Sequence, residues 1–77
     1  MKVQVKLLGI LSLNFPAYSK FKYIEIKAGE QVEDLFTHLG LASHEVHYIS
    51  VNGKLVKKDY FLKDDDKVIF FPQVSGG

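Results

Sequence analysis

The sequence predicts an α+β domain, a mixed sheet of four to five strands with one main helix packed on one face. Three observations carry this expectation. Two stretches near the start, residues 2–8 and 21–27, alternate apolar and polar side chains, and alternation with a period of two marks a half-buried strand. One stretch of helical spacing follows, with Val32, Leu35, Phe36 and Leu39 on a single face, the pattern of a short amphipathic helix. Three further strand-like runs then appear at 48–51, 55–56 and 67–71. A lone helix covers one face of the sheet that such strands build and leaves the other open.

In the first strand Val3, Val5 and Leu7 alternate with Lys2, Gln4 and Lys6, and Leu8 falls on the polar side. Residues 9–19 contain Asn14, Pro16 and Ser19 and read as a turn or loop. In the second strand Ile24 and Ile26 favour the even positions as the inner side, and a hairpin with the first strand is its simplest pairing. Ala28-Gly29-Glu30-Gln31 interrupts the strand. Glu30, Glu33 and Asp34 crowd the start of the helix, where negative charge suits its dipole, and Gly40 stands where it ends. Asn52-Gly53 is a tight-turn signal between the third strand and its return through Leu55 and Val56. Tyr60-Phe61-Leu62 reads as a short helical turn or an irregular buried segment, and Asp64-Asp65-Asp66 as a solvated turn. In the last strand Val68 and Phe70 point inward, leaving Ile69 and Phe71 on the other side before Pro72. Leu8, Phe71 and one of Leu55 or Val56 are therefore expected to form an apolar docking patch on the face away from the helix.

Composition narrows the chemistry. At 77 residues there is room for one domain, read as 1–71, with 72–77 as a flexible tail. No cysteine is present, so disulfides, thiolate metal sites and a thiol nucleophile are excluded. The net charge of +1, carried by lysines spread along the chain, leaves no nucleic-acid footprint. No signal peptide and no segment of membrane-spanning length is evident, so a cytoplasmic protein without a membrane partner is expected. His44-Glu45-Val46-His47 is one residue short of the His-Glu-x-x-His spacing and has no third ligand, so it reads as a polar loop and no metal is expected. His38 lies off the apolar helix face and reads as solvated. No arrangement of side chains suited to catalysis can be argued from spacing.

The remaining feature is the Gly76-Gly77 pair at the end of the sequence. Without a Cβ, two glycines can thread a narrow channel and bring a carboxylate to another protein's active site. Taken alone, the pair also fits a frayed end or a cloning scar. The residues before it decide between these readings. Val51-Asn52-Gly53, then Leu62, Asp64, Asp66 and Val68, then Phe71-Pro72-Gln73-Val74-Ser75-Gly76-Gly77 resemble the MoaD/ThiS family of sulfur carriers, which has the ubiquitin-like β-grasp fold. Val3-Gln4-Val5-Lys6-Leu7-Leu8-Gly9 and Val32-Glu33-Asp34-Leu35 also fit, so the resemblance covers nearly the whole chain. Two positions depart from the family pattern: Asp65 stands where a glycine is usual, and Gln73 where a second proline often follows Pro72.

The resemblance implies a protein that is not an enzyme. Gly77 would carry the chemistry on its carboxylate, with Gly76 beside it, and residues 72–75, among them Pro72, Val74 and Ser75, would form a semi-extended stalk. The chain has no Gly-rich phosphate loop, so ATP and Mg²⁺ would be held by an E1-like adenylyltransferase. That partner would convert the Gly77 carboxylate to an acyl-adenylate, and a sulfur donor would convert the adenylate to a thiocarboxylate. An acceptor enzyme, such as the large subunit of molybdopterin synthase, would take the sulfur. Leu8, Leu55 and Phe71 would serve docking. The tail looks closest to the molybdopterin synthase small subunit; a thiamine-thiazole carrier, another sulfur carrier and a protein modifier joined to lysines are the alternatives.

Overall fold

The computed structural model describes residues 1–73. Its elements are β1 (Lys2–Leu7), α1 (Ile10–Asn14), β2 (Lys22–Glu25), α2 (Val32–Leu39), β3 (Val46–Val51), β4 (Lys54–Val56) and β5 (Lys67–Pro72). Single 3-10 turns occupy Pro16–Tyr18 and Ser43–Glu45. The five strands form one sheet in the order β2-β1-β5-β3-β4. β1 and β2 are an antiparallel hairpin with Val3 opposite Ile24. The last strand inserts between the first and the third, parallel to β1 and antiparallel to β3. The mixed sheet and single main helix are those expected.

Alternation decides what each strand buries. Val3, Val5 and Leu7 of β1, Val68 and Phe70 of β5 and Ile49 and Val51 of β3 all face the helix and are buried. Val32, Leu35, Phe36 and Leu39 of α2 meet them, and the Phe36 and Phe70 rings stack tilted with centroids 5.3 Å apart. Each such side chain taken from water contributes about 1.5–3 kcal/mol. The inner side of β2 is the even one, since Ile24 packs against the core and Ile26, just past the strand, is buried. At the start of α2 the Gln31 N–H donates to Asp34 Oδ2 at 2.8 Å. At its end Gly40 takes the left-handed conformation, and the Leu41 N–H returns to the Phe36 carbonyl at 2.9 Å.

Five expectations need correction. Residues 9–19 are not a loop throughout: α1 forms because Leu11 reaches the core and is fully buried, a gain that outweighs the weak local helix signal. β3 begins at Val46, so His47 sits on a strand and only His44 and Glu45 remain in the turn before it. In the segment 60–62 the buried residue is Leu62; Phe61 is 62% exposed and bridges Gln31 through its backbone. His38 is not simply solvated, because its Nε2 lies 2.9 Å from Glu30 Oε1. The Lys27 N–H, and after it His38, hold the Glu30 carboxyl below the usual carboxylate range.

The fifth correction concerns the acidic turn. Asp66 is buried rather than solvated. Its Oδ2 accepts the Lys63 N–H and its Oδ1 the Asn52 side-chain amide, both at 2.8 Å. Asn52 Oδ1 in turn accepts the Lys67 N–H at 3.0 Å. This network ties the β3–β4 turn, with Asn52 at φ 53° and Gly53 at φ 85°, to the start of β5. Asp65 beside it takes φ 65°, which aspartate tolerates. Asp66→Ala removes a buried acceptor from two part-buried hydrogen bonds, so we expect a loss of about 2–3 kcal/mol in a urea unfolding curve.

Among the described residues no helix is long and apolar enough to cross a membrane.

Candidate functional site

The face of the sheet turned away from α2 is built by the other parity of the same strands. Two rows cross it. In the first, Leu8 follows Leu7, its N–H donating to the Phe70 carbonyl at 3.2 Å, and Phe71 lies opposite Tyr48. In the second, Lys6 pairs with Ile69, Ile69 with Ser50 and Ser50 with Leu55. Leu8, Ile69 and Phe71 are half-buried, Tyr48 is exposed, and Leu55 on the edge strand is 67% exposed. Ser50 is buried between its larger neighbours.

The three expected docking residues thus share one face. Leu8 and Phe71 follow the paired residues Leu7 and Phe70, while Leu55 on β4 is reached from Ile69 of β5 through Ser50 of β3. The choice between Leu55 and Val56 goes to Leu55, because Val56 packs against the core opposite Ile49. Ile69 and Tyr48 belong to the same surface and were not among the expected site residues. The alternation of β5 already placed Ile69 beside Phe71; Tyr48 becomes visible only through its pairing with Phe71 across the sheet.

The base of the tail is fixed by a close approach. β5 runs through Pro72, and the Gln73 N–H reaches the Glu45 carbonyl at 3.4 Å. Pro72 rests on Gly9: a Cβ there would stand 3.0 Å from Pro72 Cγ. Gly9 also has φ 56° and ψ −135°, a backbone state that a side chain excludes. One residue therefore lets the chain leave β1 sharply and leaves room for the proline at the end of β5. Gly9→Ala is expected to destabilise by about 1–3 kcal/mol in urea unfolding, from backbone strain alone. The Pro72 ring must also shift, visible as altered Pro72 and Phe71 chemical shifts in NMR. At the same end α1 packs against β1 and β5 and presents Ile10 and Leu13, 56% and 72% exposed. Val74, Ser75, Gly76 and Gly77 lie outside the described residues.

Among the described residues no group of three or more His, Cys, Asp or Glu side chains could hold a metal ion. His47 instead packs edge-on against Tyr48 with centroids 4.2 Å apart. On the open face near β2, Tyr23 donates to Asp65 Oδ1 at 3.2 Å, and this bond raises the phenol above its usual pKa.

A model of the ThiS family matches residues 13–77. No curated protein matches the sequence. Among solved structures, the putative molybdopterin converting factor subunit 1 of Pyrococcus furiosus is 27% identical, with a TM-score of 0.75 over 96% of this chain and 99% of that one. SAMP1 of Haloferax volcanii superposes with a TM-score of 0.78 at 19% identity over the full length of both chains. Subunit 1 or 2 in the molybdopterin-converting factor complex of Helicobacter pylori matches at 24% identity, with a TM-score of 0.64 over the full length of both chains.

Proposed function

The chain belongs to the ThiS family, whose members are ubiquitin-fold sulfur carriers and not catalysts, and from that premise we propose that it carries sulfur as a thiocarboxylate on Gly77. The observation that carries this reading is that the family match runs through to Gly76 and Gly77. A carboxylate resists nucleophilic attack, since resonance and negative charge both oppose it. Its oxygen attacks the α-phosphate of ATP on an adenylating partner, pyrophosphate leaves, and the Gly77 acyl group becomes a mixed anhydride. Sulfide delivered by a sulfur donor then attacks the carbonyl carbon, AMP leaves, and the acyl group becomes the thiocarboxylate. The adenylating partner holds ATP and Mg²⁺ and stabilises the developing charge; the carrier supplies the docking face and the tail. Pro72, braced on Gly9, limits the conformations of the stalk before insertion, which reduces its ordering cost. Leu8, Leu55 and Phe71 anchor the folded domain on the partner.

We place the sulfur in molybdopterin synthesis, with a large catalytic subunit as acceptor. The Phe-Pro-x-Val-x-Gly-Gly ending and the 27% identity to a putative molybdopterin converting factor subunit 1 support this destination. A complex of subunits 1 and 2 in the matching Helicobacter pylori structure supports an acceptor of that kind. The second reading is a carrier for the thiamine thiazole, favoured by the family whose model matches.

Mass spectrometry of the intact protein isolated from its own cells tests the proposal. The expected species bears sulfur in place of one oxygen at the terminal carboxyl. A terminus found only as free carboxylate, or joined to lysines of other proteins, rejects the carrier reading.

A further inference from the structure

We infer that Lys6 and Lys67, gathered over the Phe21 ring, form a basic edge of the open face that receives a carboxylate side chain of the adenylating partner. The inference rests on the sulfur-carrier reading for the identity of that partner. Phe21 immediately precedes β2, Lys6 is in β1 and Lys67 opens β5, three neighbouring strands of the sheet. The two ammonium groups stand 5.7 and 5.8 Å from the centroid of the one ring. An aromatic face attracts each ammonium weakly at an exposed site and carries no counter-charge.

Among the described residues no carboxylate lies within ion-pair distance of either ammonium group. The ion pairs there are the Met1 amino group with Glu25 and His38 with Glu30. The carboxylates of the neighbouring turn keep their charge but are held by hydrogen bonds to other partners. Asp64 accepts the Lys2 N–H, Asp65 accepts Gln4 and Tyr23, and Asp66 accepts Lys63 and Asn52. Two like charges held to one ring, with the local acids hydrogen-bonded to other partners, present a site that an incoming anion relieves.

Its position selects the source of that anion. Lys6 lies in the row of Ile69, Ser50 and Leu55, next to Leu8 and Phe71. An apolar centre with charges at its rim is the anatomy of a protein interface, whereas nucleic acid calls for a longer basic stripe. The carboxylate is therefore that of a protein, and it sets the register in which the tail enters that protein.

The test is ATP–pyrophosphate exchange catalysed by the adenylating enzyme of the source organism, with the full chain as substrate. The double variant Lys6→Gln/Lys67→Gln is expected to raise KM for the carrier about tenfold with kcat unchanged, and to flatten the rise of KM with salt. Lys6→Arg/Lys67→Arg keeps KM near that of the parent. Lys27→Gln/Lys58→Gln removes the same net charge on the helix side, where Lys27 lies near Glu30 and Lys58 lies over Phe36, and leaves KM unchanged. Circular dichroism verifies that each variant is folded. An unchanged KM in the first variant, or an equal rise in the helix-side variant, overturns the inference while the carrier reading stands. Absence of exchange with the parent chain overturns both.

Discussion

Removing Gly77, or blocking its carboxyl as an amide, is expected to abolish adenylation and with it the thiocarboxylate. The prediction follows from where the reacting atom sits. If the terminal carboxyl is the nucleophile toward ATP, no side chain near it in sequence can replace it: there is no cysteine, and the last side-chain carboxylate in the sequence is Asp66. An amide offers neither the negative charge nor the free oxygen that the first step needs. A chain ending at Gly76 keeps a carboxylate but delivers it one residue short, and a misplacement of even 1 Å at a reacting centre can cost about a hundredfold. Pyrophosphate exchange with the adenylating enzyme should fall to background for both variants. Their unfolding curves should match the parent, because the change lies beyond the described fold. Undiminished exchange by the amidated chain would show that the tail is not the working group.

The second large effect is on stability. Phe70→Ala should remove a large part of the domain's stability and lower its unfolding midpoint steeply. Phe70 is fully buried at the centre of the sheet and stacks on Phe36 of the helix. Truncation to alanine costs about 3–5 kcal/mol at such a site. A chain of 77 residues has about 4–12 kcal/mol in all, at roughly 0.05–0.15 kcal/mol per residue. The loss therefore consumes a large part of the total. Phe61→Ala is the matched control: the same side chain, 62% exposed, should change stability by no more than about 0.5 kcal/mol. Thermal unfolding by circular dichroism compares the two directly. Equal midpoints for both variants would contradict the core assigned here.

The contrast between Phe70 and Phe61 shows which parts of the fold were legible beforehand. Phe70 sits in a run whose alternation is unambiguous, with Val68 two residues before it, and strand geometry leaves little choice of side. Phe61 sits between two hydrophobic neighbours, Tyr60 and Leu62, in a segment with no period. Local pattern there marks the segment as partly buried but cannot say which side chain enters. The same reason explains α1. Five residues are too few to show helical periodicity, and the helix exists because Leu11 finds a place in the core. Asp66 was misread because a run of three acidic residues looks like solvent-facing chemistry, whereas its partners, Asn52 and Lys63, converge only when two turns meet. At the candidate site, Leu8, Leu55 and Phe71 followed from parity and from the family resemblance. Gly9 as the seat of Pro72 did not, since that contact joins residues from opposite ends of the chain.

The amino-acid order alone determined the strand faces, the helix with its left-handed cap, the tight turn at Asn52-Gly53 and the family to which the ending belongs. These are short-range matters, settled by steric preference and by the period of the hydrophobic residues. Tertiary structure alone decided that β5 lies between β1 and β3, and so which side chains of the open face are neighbours. The pairing of Tyr48 with Phe71 and the meeting of Lys6, Lys67 and Phe21 follow from that insertion. Strand order is fixed by the joint burial of Val5, Val51, Val68 and Phe70 under one helix, a long-range packing energy that no local window of sequence contains.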